Sequence, residues 1–232
     1  MRWRNSFAIV VGCTAASLMV VDAQAQSAFA GFYGQASTGY ENNQIGSMSG
    51  SNSSGFSLSG NGQNFGGAPL VFGIGNYWQA TDKWLIGLGA DYSALTQSSP
   101  SNLYANETIA PGKTISHCCS SIQLSSRFNF FLSPAYVIDK EKLVYIKAGY
   151  SQVSTSFKSA ETASVSSTQG GYLIGLGYKQ IITSGLYGFV EGNYMGYKAP
   201  SYTFKAADDE SVTNNFSSLN TYQLLIGLGY AF

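Results

Sequence analysis

Five ionisable residues have the spacing from which chemistry could be built: Asp91, Arg127, Lys147, Lys179 and Glu191. Each lies in a stretch that alternates apolar with small or polar residues, and each takes the parity opposite to the apolar positions. Glu41 shares that parity. Opposite charges on one enclosed face should pair, because an unpaired buried ion is expensive. Two chemistries stay open: a static plug of ion pairs, or a gate in which exchanging pairs open a narrow ion path. Removing the charge of Arg127 or Glu191 should then alter stability and any conductance.

Nucleophilic and metal chemistry find little support. A serine or cysteine nucleophile needs a base within hydrogen-bond reach, and the single histidine is His117, followed by Cys118, Cys119, Ser120 and Ser121. If a strand reaches that far, His117 and Cys119 share its inner face. Cys118 and Cys119 are adjacent, so oxidation would give a small vicinal ring or an intermolecular bridge. The expected role is a redox-inert loop element. Three consecutive residues lack metal-ligand spacing, so no metal, cofactor or catalytic residue is assigned. Gly73-Ile74-Gly75, Gly87-Leu88-Gly89, Gly175-Leu176-Gly177 and Gly227-Leu228-Gly229 are not phosphate loops, since none opens a helix. Their glycines fall on the inner parity, where small residues make room for larger neighbours.

Eight period-two segments must position these residues: 31–41, 69–79, 84–95, 121–137, 143–153, 171–180, 186–194 and 221–232. Each offers a lipid-compatible face, such as Tyr222, Leu224, Ile226, Leu228, Tyr230 and Phe232 in the last. In the fourth, the outward set is Ile122, Leu124, Phe128, Phe130, Leu132 and Tyr136. Segments near ten residues suit tilted strands crossing a bilayer. The connections 80–83, 138–142 and 181–185 are short, whereas 41–68, 96–120, 154–170 and 196–220 are long and polar. Short turns on one side and long loops on the other mark a transmembrane barrel. The first long loop is rich enough in Ser, Gly and Asn to be expected mobile. No charge falls on an outward face, where a cation at the bilayer midplane would cost about 2–4 kcal/mol.

The front of the chain points to export. Arg2 and Arg4 form a basic start, residues 7–21 are apolar but broken by Gly12, Cys13, Thr14 and Ser17, and Ala23-Gln24-Ala25 supplies a small-x-small cleavage site. The reading is a signal peptide over 1–25 and one domain over 26–232. With 12 Lys/Arg balancing 12 Asp/Glu, composition offers no reason to expect a nucleic-acid partner.

The chain resembles the small outer-membrane β-barrel superfamily that includes OmpA-type transmembrane domains and opacity-type porins. The resemblance rests on Phe32–Tyr40, Leu143–Tyr150, Gly171–Tyr178 with Val190 and Glu191, and the terminal Gly227–Phe232. It implies an all-β, eight-stranded antiparallel up-and-down barrel with long extracellular loops and short periplasmic turns. It implies a Gram-negative outer membrane and a non-enzymatic envelope-structural or surface-interaction role through the loops. A narrow porin is the alternative, and a lipid-modifying enzyme a more remote one. Barrels that deacylate lipid A use a His-x-Ser pair, whereas Ser120 lies three residues beyond His117. The implied partners are outer-membrane lipid and lipopolysaccharide, an extracellular ligand or host surface met by the loops, and the barrel assembly machinery, for which Tyr230 and Phe232 form the signal. The loop aromatics Tyr104, Phe157, Tyr202, Phe204 and Phe216 are expected to pack loop on loop.

Overall fold

The computed structural model describes residues 27–158, 164–205 and 211–232, except for the side chains of Ala105, His117, Cys118 and Phe204. The expected signal segment lies outside them, as do Glu161, Asp208, Asp209 and Glu210. In chain order the strands are β1 (Gly31–Ile45), β2 (Met48–Asn52), β3 (Ser57–Gly60), β4 (Gln63–Gly67) and β5 (Leu70–Gln79). Then come β6 (Trp84–Ser93), β7 (Gln97–Ser98), β8 (Leu103–Ala110), β9 (Lys113–Asp139) and β10 (Lys142–Lys158). The last are β11 (Val165–Thr183), β12 (Leu186–Tyr197), β13 (Ser201–Lys205), β14 (Ser211–Phe216) and β15 (Leu219–Ala231).

Eight of them close a ring. The ladder runs β1-β5-β6-β9-β10-β11-β12-β15 and returns to β1, antiparallel at every step. All eight sequence segments lie within this ring. Closure satisfies every strand edge, which a sheet in hydrocarbon requires. The outward faces form an apolar belt, with Ile74, Ile146, Leu176, Leu224 and Ile226 exposed at mid-height. Aromatics bound it on both sides: Trp78, Trp84 and Tyr230 near the short turns, and Tyr40, Tyr92, Tyr150, Tyr172 and Tyr222 near the long connections. This is the girdle pattern of a bilayer-spanning barrel.

Three expectations need correction. Ile122 and Leu124 do not face lipid; both are fully buried inside. Ser126 takes a positive φ of 50°, and the β9–β10 register slips opposite Gln152 and Ser154. One extra residue in β9 flips the parity, so Arg127 and Leu124 both point inward.

The first long connection is also not a loose loop. It folds as the end of β1 followed by β2, β3 and β4. Ladders β13-β14-β2-β3-β8-β9 build an outer wall above the barrel. Inside that wall, Ile45, Met48, Leu103, Ile122, Phe157, Tyr202 and Phe216 share one apolar core with Val153, Met195 and Leu219. The Ser/Gly/Asn composition of 41–68 conceals buried residues such as Ile45, Met48, Leu58 and Phe65, with β1 and β2 paired to β15 and β14 from the far end of the chain. Phe157, Tyr202 and Phe216 do pack on one another, with centroids 5.6 to 6.4 Å apart. Tyr104 is exposed instead, and the Phe204 side chain lies outside the described residues.

Candidate functional site

The lumen is filled in layers. Nearest the short turns, Tyr33, Tyr77, Tyr145, Tyr187 and Phe189 turn inward, joined by Phe29 ahead of β1. Each ring of this set within the ladders lies directly opposite a glycine on the neighbouring strand: Tyr33 to Gly75, Tyr77 to Gly87, Tyr145 to Gly177, Tyr187 to Gly229 and Phe189 to Gly227. A Cβ at any of these glycines would overlap the facing ring. The Gly-x-Gly motifs are therefore slots for aromatic side chains, which an eight-stranded lumen has no other room to hold.

Lys179 stands in the middle of those rings. Its Nζ is 4.0 Å from the centroid of Tyr33, 4.7 Å from Tyr187 and 5.3 Å from both Tyr77 and Tyr145. It donates to Gln35 Oε1 at 3.2 Å and to Tyr187 Oη at 3.4 Å. No carboxylate pairs with it among the described residues. Ring quadrupoles stand where a counter-ion would, and their attraction offsets part of the cost of burying the ammonium.

Above the cage, three of the sequence-assigned charges meet. Lys147 Nζ donates to Asp91 Oδ2 at 3.0 Å and to Glu191 Oε1 at 2.9 Å, all three buried. Tyr145 Oη donates to Glu191 Oε2 at 2.6 Å, Asn193 to Glu191 Oε1 at 2.7 Å, and Asn129 to Asp91 Oδ1 at 2.5 Å. Lys147 also sits 3.9 Å over the Phe131 ring. One step further out, Arg127 grips Glu41 through both terminal nitrogens, at 2.6 and 2.9 Å. Gln223 and Asn43 donate to the same carboxylate at 2.7 and 2.9 Å. Every carboxylate of the lumen is thus held by a cation and by at least one neutral donor, as buried ions require.

All five assigned residues point inward, but they do not form one network. Asp91, Lys147 and Glu191 form a triad, Arg127 pairs with Glu41, and Lys179 stands alone in its cage. The aromatic shell was missed by reading charges only. The signal was present: tyrosines and a phenylalanine on the inner parity, matched by glycines on the next segment.

The histidine-cysteine cluster lies elsewhere. β9 does reach it, with His117 opposite Ala105 in the outer wall, yet Cys119 does not join an inner face. It is exposed, disulfide-bonded and at a φ of 76°, a left-handed kink that breaks strand alternation. Ser120 is buried beside it. The side chains of His117 and Cys118 lie outside the described residues, and those described contain no group of three or more His, Cys, Asp or Glu able to hold a metal.

A closed antiparallel ring, an outward apolar belt and a polar, filled interior define a transmembrane β-barrel protein. The chain belongs to the outer membrane protein beta-barrel domain family, whose sequence profile matches residues 11–232. Curated protein sequences provide no match. Among solved structures, the outer membrane protein OprG from Pseudomonas aeruginosa superposes with a TM-score of 0.54 at 13% identity, over 89% of this chain and 98% of that one. The outer membrane protease OmpT from Escherichia coli has a TM-score of 0.48 at 10% identity, over 87% and 97%. Ail, the attachment invasion locus protein of Yersinia pestis, solved with the heparin analogue sucrose octasulfate, has a TM-score of 0.46 at 13% identity, over 87% and 99%. The likeness to OprG is one of fold.

Proposed function

We propose that this outer-membrane barrel is non-enzymatic and closed, and that it serves envelope structure or surface interaction by holding a rigid β wall outside the membrane. The carrying observation is the filled lumen: an aromatic cage, two separate ion-pair clusters and an apolar outer core succeed one another along the axis. The charges serve as a static plug in this reading. Each carboxylate already accepts from a cation and at least one neutral donor, with Lys147 shared by Asp91 and Glu191, so opening a path would break a filled set of buried bonds. Single-channel recording tests it directly. Purified protein in planar bilayers should give no steps above background, and liposomes containing it should not swell in small sugars. Regular conductance steps lost in Glu191→Gln would establish the narrow porin instead.

No nucleophilic step is assigned to the Cys119 region, because a disulfide-bonded sulfur is no free nucleophile and Ser120 is buried. Export rests on cleavage after Ala25. Mass spectrometry of the mature protein should find Gln26 first, and an intact Met1 would refute it. Lipid and lipopolysaccharide are the expected neighbours of the apolar belt. We assign the assembly signal to Tyr230 and Phe232, whose rings meet edge-to-face at 5.1 Å, with Phe232 81% exposed. Phe232→Ser should reach the membrane at reduced yield, and wild-type yield would remove that role.

A further inference from the structure

The outer face of the β wall carries an ordered array. Read across the ladders, one row is Thr203, Thr213, Ser51, Ser57, Thr108 and Thr114, each the direct cross-strand partner of the next. Two residues along every strand, a second row is Ser201, Asn215, Ser49, Ser59, Asn106 and Ser116, again in unbroken register. All these side chains are exposed except Thr213, which is half-buried. Hydroxyls and amides therefore repeat about every 4.8 Å across the strands and roughly 6.7 Å along them.

Solvation alone does not call for this composition. A surface made for solubility carries about 25–35% charged residues, and exposed edge strands are commonly protected by lysines. Neither row contains a charge or an apolar residue. The charges of the same strands sit elsewhere: Lys205 and Lys113 at strand ends, and Glu107 on the other parity, accepting a bond from Asn52 at 2.9 Å. The array is also held in place. Beneath it, Met48, Leu58, Tyr202, Val212 and Leu103 are buried. Within it, Thr203 and Thr213 hydroxyls lie 3.0 Å apart, and Ser201 and Ser116 donate to Asn215 and Asn106 at 2.7 Å. Each hydroxyl can accept as well as donate, and the asparagine NH2 groups remain available.

We infer that this wall docks a neutral polysaccharide. A polymer of repeating hydroxyls meets a repeating grid of donors and acceptors many times, so bonds that are individually weak accumulate through multivalency. Short Ser and Thr side chains lose little rotamer entropy when they bind. The alternatives fit less well: an anionic polymer finds no cation in either row, only Lys205 at the end of β13, and a protein partner finds the single ring of Tyr104 beside the rows rather than an apolar centre. Tyr104 stands exposed on the same outward parity of β8, two residues before Asn106, where its ring face can receive the C–H face of a sugar. The inference deepens the surface-interaction reading above and rests on it.

Affinity electrophoresis of the full chain in detergent, with dextran and laminarin as neutral glucans and heparin as a sulfated control, tests it. At least one neutral glucan should retard the protein, and added salt should leave that retardation unchanged, since no ion pair contributes. The double substitution Ser51→Glu with Thr213→Glu should weaken binding roughly tenfold or more by interrupting the row at its centre. Ser184→Glu, exposed in the short turn between β11 and β12 at the opposite end of the barrel from both rows, should bind as wild type. Heat-modifiable gel mobility should be the same in all three, which keeps a folding failure from passing as lost binding. The inference is overturned if neither glucan retards the protein, if the double substitution binds unchanged, or if only heparin binds and salt abolishes it. That last outcome would leave a surface-interaction role standing, whereas conductance with intact glucan binding would sink only the closed barrel.

Discussion

Strand β10 passes through both regions of the molecule without changing parity, yet its chemistry inverts. In the bilayer it turns Val144, Ile146 and Tyr150 outward and Tyr145, Lys147 and Ser151 inward. Beyond the outer girdle it turns Ser154, Ser156 and Lys158 away from the interior and buries Val153 and Phe157. The barrel is apolar outside and polar inside, whereas the wall above it is built like a soluble sheet. The reversal follows the solvent each face meets. The lower region keeps its order through hydrogen-bonded ions and rings seated on glycines, the upper through burial of side chains from water.

That contrast predicts unequal responses to substitution. Lys147→Met strands Asp91 and Glu191 together and should cost about 3–5 kcal/mol, seen as a lower urea midpoint of the folded, heat-modifiable band. Phe157→Ala should cost a similar total, about 3–5 kcal/mol, but locally. Proteolysis should nick the wall while the barrel core keeps its mobility, and uniform loss of both regions would erase the distinction. Gly177→Ala drives a methyl into the Tyr145 ring and should cost about 1–3 kcal/mol, with Tyr145→Leu relieving part of it.

Lys179→Met sharpens the comparison within the lumen. It leaves no carboxylate unpaired and keeps an unbranched chain among the rings, so it should stay within about 1 kcal/mol of wild type. A loss as large as that of Lys147→Met would show the caged lysine to be a structural ion. The smallest effect belongs to the short turn, where the Glu141 backbone N–H and then Lys142 hold the Asp139 carboxyl below its ordinary range. A depressed carboxyl stabilises above its unfolded pKa and loses that contribution as pH falls through the folded value. Asp139→Asn should therefore differ slightly from wild type near neutrality and converge with it in acid, and the exposed pair makes the difference salt-sensitive.

Much of the barrel is legible in local pattern. Tyr222 to Phe232 announces its outward face by alternation alone, and Asp91, Lys147 and Glu191 announce their inward direction by parity. The Arg127–Glu41 grip and the Lys147 triad are not legible, because partners on strands far apart in sequence meet only once the register is set. Ile122 and Leu124 show the limit most clearly. Their apolar character is visible, but a single extra residue at Ser126 decides which side they face.

The amino-acid sequence by itself determined the strand faces outside the β9 bulge, the inward direction of the assigned charges and the kinship of the chain, because period-two alternation is a property of neighbours along the backbone. Ring closure decided the rest. Met48 pairs with Phe216 and Ser51 with Thr213, and no local signal encodes such distant pairings. The wall, its apolar core and the rows of hydroxyls on its surface exist because closing the barrel sets β15 beside β1, which brings the connection after β1 next to the one before β15 at the end away from the short turns, where the strand edges must be satisfied.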